Sequence, residues 1–333
     1  MQVTIKEIAA AAGVSPSTVS RALGNKGYVK SETMERIRAA AAALGYRPNA
    51  LARSLVRKKS NTIGLIIPEI ENPFYSEIIS GVERVATKRG YSIILVSGYS
   101  ETGEAEVKTL LERQVDGIIH GGAYTTNTTI FRLKAEGFPV VLLGRRLPGV
   151  ETDCVIVNDR LAAYQLTNHF IKLGHRRLGY IFGKDESTGS SEKFAGFRQA
   201  LADAGIELEP QLVEKGNLQF EGGYRAAQKL LALSPRPTAL IAGNDFMALG
   251  ARQYVCEIGL RIPADVALGG FDDILWSSIQ GVELTTVAVP RYKMGAMGAE
   301  LLIKKIEKPG QGEVEQIVLE PKLIIRRSCG YQG

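Results

Sequence analysis

From residue 63 onward, short apolar runs alternate with longer stretches in which apolar residues recur at helical spacing. The runs are rich in Val, Ile and Leu, which is typical of strands that are buried on both faces. Strands that alternate with helices form parallel sheets covered by helices on both sides. We therefore predict strands at Ile63–Ile67, Ser92–Val96, Gly117–Ile119, Val140–Leu143, Val155–Val157, Leu178–Phe182, Ala239–Ala242 and Val266–Gly269. The same pattern predicts helices at 75–89, 103–113, 160–173, 192–204, 221–233 and 246–258.

This α/β pattern continues for about 270 residues, which suits two open lobes better than one. Ligands of open parallel sheets bind beyond the carboxyl ends of the strands. Two such lobes that face each other would leave a ligand cleft between them.

The segment before residue 60 has a different pattern, in which two short helices are joined by a tight turn. Thr4 and Glu7 have the spacing of a capping box for a helix over 5–12. Gly13 supplies the turn, and Ser15-Pro16 provides an N-cap followed by a proline at the first helical position. A third helix, capped by Ser31 and ending near Leu44, completes a small all-α unit.

The second helix of this unit has an apolar face and a polar face. Val19 and Ala22–Leu23 point to a core, which leaves Ser17, Thr18, Ser20 and Arg21 on the other faces. Two short helices joined in this way form a helix-turn-helix, whose second helix enters the DNA major groove. Short hydroxyl side chains and an arginine can reach base edges or phosphates there.

Charge supports the same interpretation. Residues 1–60 hold eleven Lys or Arg and three Glu, a net charge of +8 within a chain whose total is +6. The remaining residues therefore carry −2. A basic head on a nearly neutral body is the electrostatic pattern of nucleic-acid binding. A merely solvated charged face would have the same composition.

Four segments carry a family resemblance: Val3–Ala9, Ala12–Ser15, Thr18–Arg21 and Gly45–Leu55. They closely resemble the lactose-repressor (LacI) family of bacterial regulators. The chain departs from the family at Gly24, where an asparagine usually ends the recognition helix.

The resemblance also identifies 48–60 as a hinge. Pro48 ends the preceding helix and Asn49 can cap a new one of about eight residues, which is too short to be stable alone. The family inserts a leucine into the minor groove at the position of Leu55. The alternative is that Leu55 belongs to the core of a small helical domain. The DNA-contacting residues that we expect are Thr4, Ser15, Pro16, Ser17, Thr18, Ser20, Arg21, Asn25, Tyr28, Tyr46, Asn49, Ala52, Arg53 and Leu55.

The body resembles the family's sensor, which is similar to periplasmic sugar-binding proteins. Its landmarks include Asn72–Tyr75, Leu173–Arg177, Gly243–Asp245, Gly270–Asp273 and Leu284–Val287. The expected fold is an all-α helix-turn-helix head with a hinge helix, followed by a two-lobed α/β, periplasmic-binding-protein-like sensor with parallel sheets. The resemblance implies three crossings between the lobes. The expected domains are 1–47, 48–60 and 61–333, with a first lobe at about 61–159 and 290–317 and a second lobe at about 160–289 and 318–329.

The expected effector site combines an apolar wall with a few polar groups. Strand ends and the family pattern select Phe74, Tyr75, Arg145, Lys193, Leu218, Asn244 and Asp272. Lys193 stands where the family most often has an arginine, and Leu218 where an aromatic often stacks on the ligand. Arg145, Arg146 and Lys193 together suggest a carboxylated or phosphorylated effector as one hypothesis.

Other classes of function lack their usual chemistry in this sequence. No metalloprotease, Walker or nucleophile-elbow motif occurs, so we expect no catalytic residue, and neither the histidines nor the cysteines have metal-ligand spacing. We expect no cofactor. The absence of an 18-residue apolar stretch or a secretion signal, with three widely spaced cysteines, predicts a cytoplasmic protein without membrane contact.

The sequence therefore predicts a repressor that binds a palindromic operator as a homodimer, under the control of a sugar-like effector. One alternative is a catabolite-control-type regulator whose co-repressor is a phosphorylated carrier protein. Tyr292 resembles that subgroup, whereas Lys293 and Glu300 reverse its usual charges. A second alternative, from another class, is a sugar-binding protein without a regulatory role, and a third is an enzyme that uses the cleft.

Overall fold

A computed structural model describes residues 3–24, 28–46, 59–98, 103–122, 128–147 and 149–331. The chain divides into two compact units, Met1–Ser60 and Asn61–Gly333. We call them the head and the body and describe each by itself.

The described part of the head consists of helices α1 (Ile5–Ala12), α2 (Pro16–Leu23) and α3 (Ser31–Ala43). Ile8, Val19 and Ile37, one from each helix, are fully buried and form the centre of its core. The core is small, so local capping contributes a large share of the definition of these short helices.

The caps of α1 and α2 confirm the sequence prediction. Thr4 and Glu7 form a reciprocal capping box, and Gly13 ends α1 in the left-handed region at φ 65°. The Ser15 hydroxyl accepts a hydrogen bond from the Thr18 N–H at the start of α2. The prediction that Ser31 caps α3 was wrong. The helix already includes Ser31, Lys30 occupies the N-cap position, and no side chain caps this end.

The first lobe of the body contains a six-stranded sheet in the order β11-β5-β4-β3-β1-β2. All of its strand pairs are parallel. Its strands are β1 (Thr62–Ile67), β2 (Ser92–Ser97), β3 (Gly117–His120), β4 (Val140–Leu143), β5 (Cys154–Val157) and β11 (Gln316–Leu319). Its helices are α4 (Phe74–Lys88), α5 (Glu104–Glu112), α6 (Thr128–Ala135) and α11 (Arg291–Glu307).

The second lobe contains a six-stranded sheet in the order β12-β10-β9-β8-β6-β7, in which β12 is antiparallel to β10. Its strands are β6 (Leu178–Phe182), β7 (Val213–Lys215), β8 (Ala239–Ala242), β9 (Ala267–Asp272), β10 (Thr285–Ala288) and β12 (Lys322–Ile324). Its helices are α7 (Asp159–Lys172), α8 (Thr188–Asp203), α9 (Phe220–Leu231) and α10 (Asp245–Glu257). Short 3₁₀ turns lie at Pro210–Leu212, Leu275–Ser278 and Arg327–Cys329.

The chain passes between the lobes three times, from β5 to α7, from β10 to α11 and from β11 to β12. The last passage follows Leu319, because β11 pairs with β5 along Gln316–Leu319, whereas the predicted boundary was at about 317. Strand β9 runs to Asp272 and not only to Gly269, and the pattern of apolar runs did not predict strands β7, β10, β11 and β12. The three crossings place the carboxyl ends of both sheets around one cleft.

Candidate functional site

The outward face of α2 is polar and accessible. Ser17, Ser20 and Arg21 are exposed, whereas Val19 and Ala22 on the opposite face are buried. A basic and hydroxyl-bearing face that is free of core packing can approach DNA without disturbing the head's fold.

Two of the predicted contact residues also serve the local fold. The Ser15 hydroxyl lies 2.8 Å from the hydroxyls of both Ser17 and Thr18, in addition to its capping role. The Thr4 hydroxyl donates to the Glu7 carboxylate at 2.9 Å, and hydrogen bonding from Thr4 lowers the pKa of Glu7. Both hydroxyls are exposed, so a phosphate can still reach them.

Of the other predicted DNA contacts in the head, some lie within the described residues and some outside them. Pro16 is exposed at the start of α2, Tyr28 is 87% exposed, and Tyr46 packs partly against the head core. The other predicted contacts lie outside the described residues, namely Asn25, Asn49, Ala52, Arg53 and Leu55.

A cleft of about 1040 Å³, including its part open to solvent, lies between the two lobes. All seven predicted effector residues line it: Phe74, Tyr75, Arg145, Lys193, Leu218, Asn244 and Asp272. Apolar side chains from the first lobe add to its wall: Ile78, Leu143, Val157, Val289 and Met294. The combination of an apolar wall with a few convergent polar groups is typical of small-molecule sites.

Two aromatic rings at the start of α4 form one side of the cleft. Phe74 and Tyr75 pack edge to face, with ring centroids 5.1 Å apart and planes at 89°. The Asn72 side-chain oxygen accepts the Phe74 N–H at 3.0 Å and fixes the entry to the helix. Both rings are half-buried, so they retain surface for a ligand face.

Arg145 approaches the cleft from the first lobe, just after β4, and its residue is only 6% exposed. His120, at the end of β3, is buried nearby, and its Nδ1 accepts the Gly122 N–H at 3.3 Å. Burial and the Arg145 charge lower the pKa of His120 to about 3, so the imidazole is neutral at physiological pH. The first lobe therefore presents the Arg145 cation to the ligand in this corner.

Lys193 approaches from α8 of the second lobe and is held by three groups. Its Nζ donates to the Gly243 carbonyl at 3.0 Å and lies 3.8 Å from Asp159 Oδ1. The same ammonium lies 4.9 Å from the centroid of the Phe271 ring.

Asp272, the last residue of β9, brings a carboxylate to the cleft from a strained backbone. Its φ is 110°, and that of Asp273 is 55°, both unusual for residues with a Cβ. Burial raises the pKa of Asp272 to about 6, while Lys193 and Arg291 oppose the shift.

Asp245 lies behind Asp272 and supports this corner of the second lobe. Its carboxylate accepts hydrogen bonds from Ser277 Oγ at 2.7 Å, Thr286 Oγ1 at 2.6 Å and the Ile274 N–H at 3.1 Å. Burial, together with the Asp272 charge, raises the pKa of Asp245 to about 7. We interpret this group as support for the loop after β9, because its acceptors are taken by the protein itself.

Asn244 lines the cleft, but much of its hydrogen-bonding capacity is used by the fold. Its Oδ1 accepts the Met247 N–H at 2.9 Å and caps α10, while its Nδ2 donates to the Leu218 carbonyl at 2.9 Å. Leu218 itself has φ 68°, so the Asn244 amide stabilises a strained turn.

Sequence reasoning missed several polar residues that line the cleft: Asn72, Asp159, Lys184, Ser187 and Ser190. Asp159 begins α7 directly after β5, so its strand-end position was the available signal. Arg146 is not among the lining residues. It is exposed and lines a second cavity on another side of the β5–α7 crossing.

Two contacts join the lobes beside the cleft. Arg291, at the start of α11, donates to Glu77 Oε1 at 2.7 Å within the first lobe and to the Asp273 carbonyl of the second lobe at 2.8 Å. The Gln219 side-chain amide of the second lobe donates to the Glu69 carboxylate of the first. These contacts depend on the relative orientation of the lobes.

Within the ranges that the structure describes, no group of three His, Cys, Asp or Glu side chains could hold a metal ion. No helix within those ranges is long and apolar enough to span a bilayer.

Comparisons with known proteins match both units. The model for bacterial regulatory proteins of the lacI family matches residues 4–49, and the model for periplasmic binding proteins and the sugar-binding domain of the LacI family matches residues 60–326. The ribose operon repressor of Haemophilus influenzae is 33% identical over 330 residues, which cover 98% of both chains.

Solved structures of other proteins match this chain over nearly its full length. A CelR–cellobiose complex is 30% identical with a TM-score of 0.75, covering 98% of this chain and 100% of that one. The Lac repressor dimer bound to operator and an anti-inducer is 26% identical with a TM-score of 0.88, covering 99% of each chain. The chain belongs to the LacI family of bacterial transcription regulators.

Proposed function

We propose that the protein is a transcriptional repressor that binds a palindromic operator as a homodimer. Its affinity for the operator falls or rises when a sugar-like effector enters the interlobe cleft. The observation that carries this proposal is the presence, in one chain, of an accessible polar recognition helix and a cleft lined by all seven expected effector residues.

On the DNA side, α2 occupies the major groove. Ser17, Ser20 and Arg21 reach base edges and phosphates, because they are the exposed polar residues of that helix. Thr4, Tyr28 and Tyr46 contact the backbone and set the position of the helix. Two heads on a two-fold axis read two half-sites, so a palindrome follows from the symmetry.

The hinge at 48–60 supplies a second, minor-groove contact. In this proposal Asn49 caps a helix that forms on DNA, and Leu55 wedges between base pairs while Ala52 and Arg53 approach the groove. Replacement of Leu55 by Ala should weaken operator binding strongly without changing the unfolding of the body. Unchanged affinity in a gel-shift titration would refute this role.

On the effector side, Phe74 and Tyr75 stack on an apolar ligand face while polar groups of both lobes bind its hydroxyls. Ligand contacts that are possible only in one lobe orientation shift the balance between orientations. Arg291 is suited to transmit that change, because it bonds to Glu77 in the first lobe and to the Asp273 carbonyl in the second. The cleft binds its ligand without chemical conversion, and the protein acts in the cytoplasm, where its operator is.

A carrier protein as co-repressor is a second candidate. The observation that favours it is the exposure of Tyr292 on α11, although Lys293 and Glu300, exposed on the same helix, reverse the usual charges of that subgroup. Such a partner would change operator affinity without any occupant in the cleft.

The test is selection of operator sequences from a random DNA pool by the purified full-length protein, repeated with pooled neutral sugars and with pooled sugar acids. We expect an enriched palindrome whose recovery changes with at least one sugar pool. A palindrome that no small molecule affects would favour the carrier-protein candidate. Failure to enrich any sequence at physiological salt would overturn the proposed function.

A further inference from the structure

Asp159 lines the cleft from the second lobe, beside Lys193. It is the first residue of α7, follows the N-cap Asn158, and brings a carboxylate to the cleft between the lobes. Its side chain is only 16% exposed. Gly189 makes room for it, since a Cβ at that position would lie 3.1 Å from Asp159 Oδ2.

Asp159 and Asp272 share an unusual condition. Neither carboxylate accepts a hydrogen bond from any residue in the described ranges, although both residues are largely removed from solvent. Buried carboxylates ordinarily find donors in their own protein, as Asp245 does three times in the same lobe. The oxygens of this pair are not among the enclosed, unpartnered polar atoms of the described residues, so they stay open to the cleft, where a bound ligand can donate to them.

Lys193 does not remove this requirement. Its ammonium donates to the Gly243 carbonyl, lies over the Phe271 ring, and approaches Asp159 only to 3.8 Å, beyond hydrogen-bond distance. It is a counter-charge to both carboxylates. Burial nevertheless raises the pKa of both Asp159 and Asp272 to about 6, although Lys193 lowers both values and Arg291 also lowers that of Asp272.

This geometry disfavours an anionic ligand group at the second lobe. A phosphate or carboxylate placed between Asp159 and Asp272 would meet two carboxylates. The Lys193 ammonium already compensates both of them in part, and burial lowers the pKa of Lys184, the other lysine of the second-lobe lining. Arg146, which the charged-effector hypothesis also needs, is not among the residues that line the cleft; it lines a neighbouring cavity, to whose wall Asp159 also contributes. Arg145 remains as the cation of the first-lobe wall, where it can bind ligand oxygens whether or not they are charged.

We infer that Asp159 is a specificity-determining residue which, together with Asp272, selects an uncharged, hydroxyl-bearing effector over the carboxylated or phosphorylated form of the same molecule. This inference rests on the proposed function of the cleft. Each carboxylate accepts ligand hydroxyls, and such charge-assisted hydrogen bonds are the stronger kind. A ligand that replaces those hydroxyls with acidic groups loses the bonds and gains repulsion.

The experiment measures binding of neutral monosaccharides and disaccharides, and of their uronic acids and phosphate esters, to the full-length protein by calorimetry. We expect the best neutral sugar to bind at least roughly tenfold more tightly than its own acidic forms, because like charges placed together in a buried site cost this much or more. Equal or tighter binding of the acidic form would overturn the inference while leaving an effector site in the cleft.

Asp159→Asn is the diagnostic variant. It is nearly isosteric, and it should reduce the preference for the neutral form by roughly tenfold. The matched control is Glu192→Gln, which removes a charge that acts on Asp159 from an exposed position outside the cleft lining. The control should retain the preference. An unchanged preference in Asp159→Asn would overturn the role of Asp159.

Two further measurements distinguish failure of the role of Asp159 from failure of the proposed DNA-binding function. Asp272→Asn, as a second variant, should reduce the same preference if Asp159→Asn does not fold. Operator selection with the unmodified protein reports the DNA-binding function independently of the cleft. A protein that selects an operator but binds no sugar in either series would overturn the inference and leave the regulator.

Discussion

In the head, the residues that form the core differ from those on the exposed recognition face, whereas in the cleft the same residue often serves both the fold and the ligand site. In the head, the residues that hold the core, such as Ile8 and Val19, lie on faces opposite to the exposed Ser20 and Arg21. In the cleft, one side chain often does both tasks. Asn244 lines the ligand space and at the same time caps α10 and supports the Leu218 turn.

This difference indicates how each region can change. A recognition helix whose outer face has no structural task can exchange residues and alter DNA choice at little cost in stability. A cleft whose polar groups are part of the fold changes ligand preference and stability together. Five substitutions or conditions test this contrast.

The largest effect is expected at Asp245, where structural support is strongest. Asp245→Ala leaves the donors of Ser277, Thr286 and Ile274 without their acceptor, and we expect a loss of about 3 kcal/mol in the free energy of unfolding. Thermal or denaturant unfolding of the body measures it. Gln253→Ala, at an exposed position of the same helix, should stay within about 0.5 kcal/mol. Similar losses in both variants would contradict the assignment.

The pH dependence of Asp245 sharpens that test. Burial raises its pKa to about 7, above the value of 3.8 expected in the unfolded chain. The stability that this carboxyl contributes is therefore fully present below about pH 4 and is lost as the pH rises through 7. Comparison of unfolding at pH 5 and pH 8 should show a smaller pH difference in Asp245→Ala than in the unmodified protein.

On the head, Arg21→Ala should affect binding and leave folding alone. We expect a loss of about 2 kcal/mol in operator affinity, with the melting temperature of the head unchanged, because Arg21 is exposed and faces away from the core. Arg38→Ala removes the same charge from an exposed position on α3 and serves as the control. If both variants lost affinity equally, charge alone would explain the effect of Arg21.

Substitution of Asn244 should lower both the stability of the protein and its effector affinity, as expected for a cleft residue that is also part of the fold. Asn244→Ala removes the N-cap of α10 and should cost about 1 kcal/mol of stability together with part of the effector affinity. Asn244→Ser retains a capping oxygen but lacks the amide, so it should recover most of the stability and little of the affinity. Calorimetry and thermal unfolding of both variants separate the two tasks. Full recovery of affinity in the serine variant would show that the amide does not contact the ligand.

The smallest expected effect is the response of effector binding to pH. Burial raises the pKa of Asp159 and of Asp272 to about 6. Lys193 lowers both values and Arg291 lowers that of Asp272, whereas Glu192 raises that of Asp159. Ligand hydroxyls favour the ionised carboxylates, so affinity should rise roughly threefold from pH 5 to pH 7 and level off above it. Titrations at pH 5, 6 and 7.5 measure this rise, and a flat profile would remove the carboxylates from the contact.

Local chemistry allowed much of the head to be predicted from sequence. The Thr4–Glu7 capping box and the Ser15-Pro16 start depend only on neighbours within three residues, and both were confirmed. The cap at Ser31 was wrong because a serine one residue inside a helix has the same sequence neighbours as one at its N-cap. In the structure, Lys30 takes that position.

The cleft was predictable only in part. Strand ends identified Arg145 and Asp272, because parallel strands bring their carboxyl ends to one edge. The partners of Lys193 depend on contacts between segments distant in sequence, which no local pattern contains. Asp159 follows β5 directly, so the same strand-end rule could have identified it. The structural role of Asn244 could have been predicted from the sequence, because an asparagine just before Asp245-Phe246 also fits an N-cap.

The three crossings between the lobes have a consequence for how the chain is synthesised. Strand β5 pairs with β11, and the Glu315 N–H donates to Asp153 from 162 residues away in sequence. The first lobe therefore cannot complete its sheet until the ribosome has made nearly all of the second lobe. The head has no such dependence, because the core of its described helices is formed by residues between 3 and 46. During translation a head able to bind DNA thus emerges first, and the sensor that controls it becomes complete only after its last strands have left the ribosome.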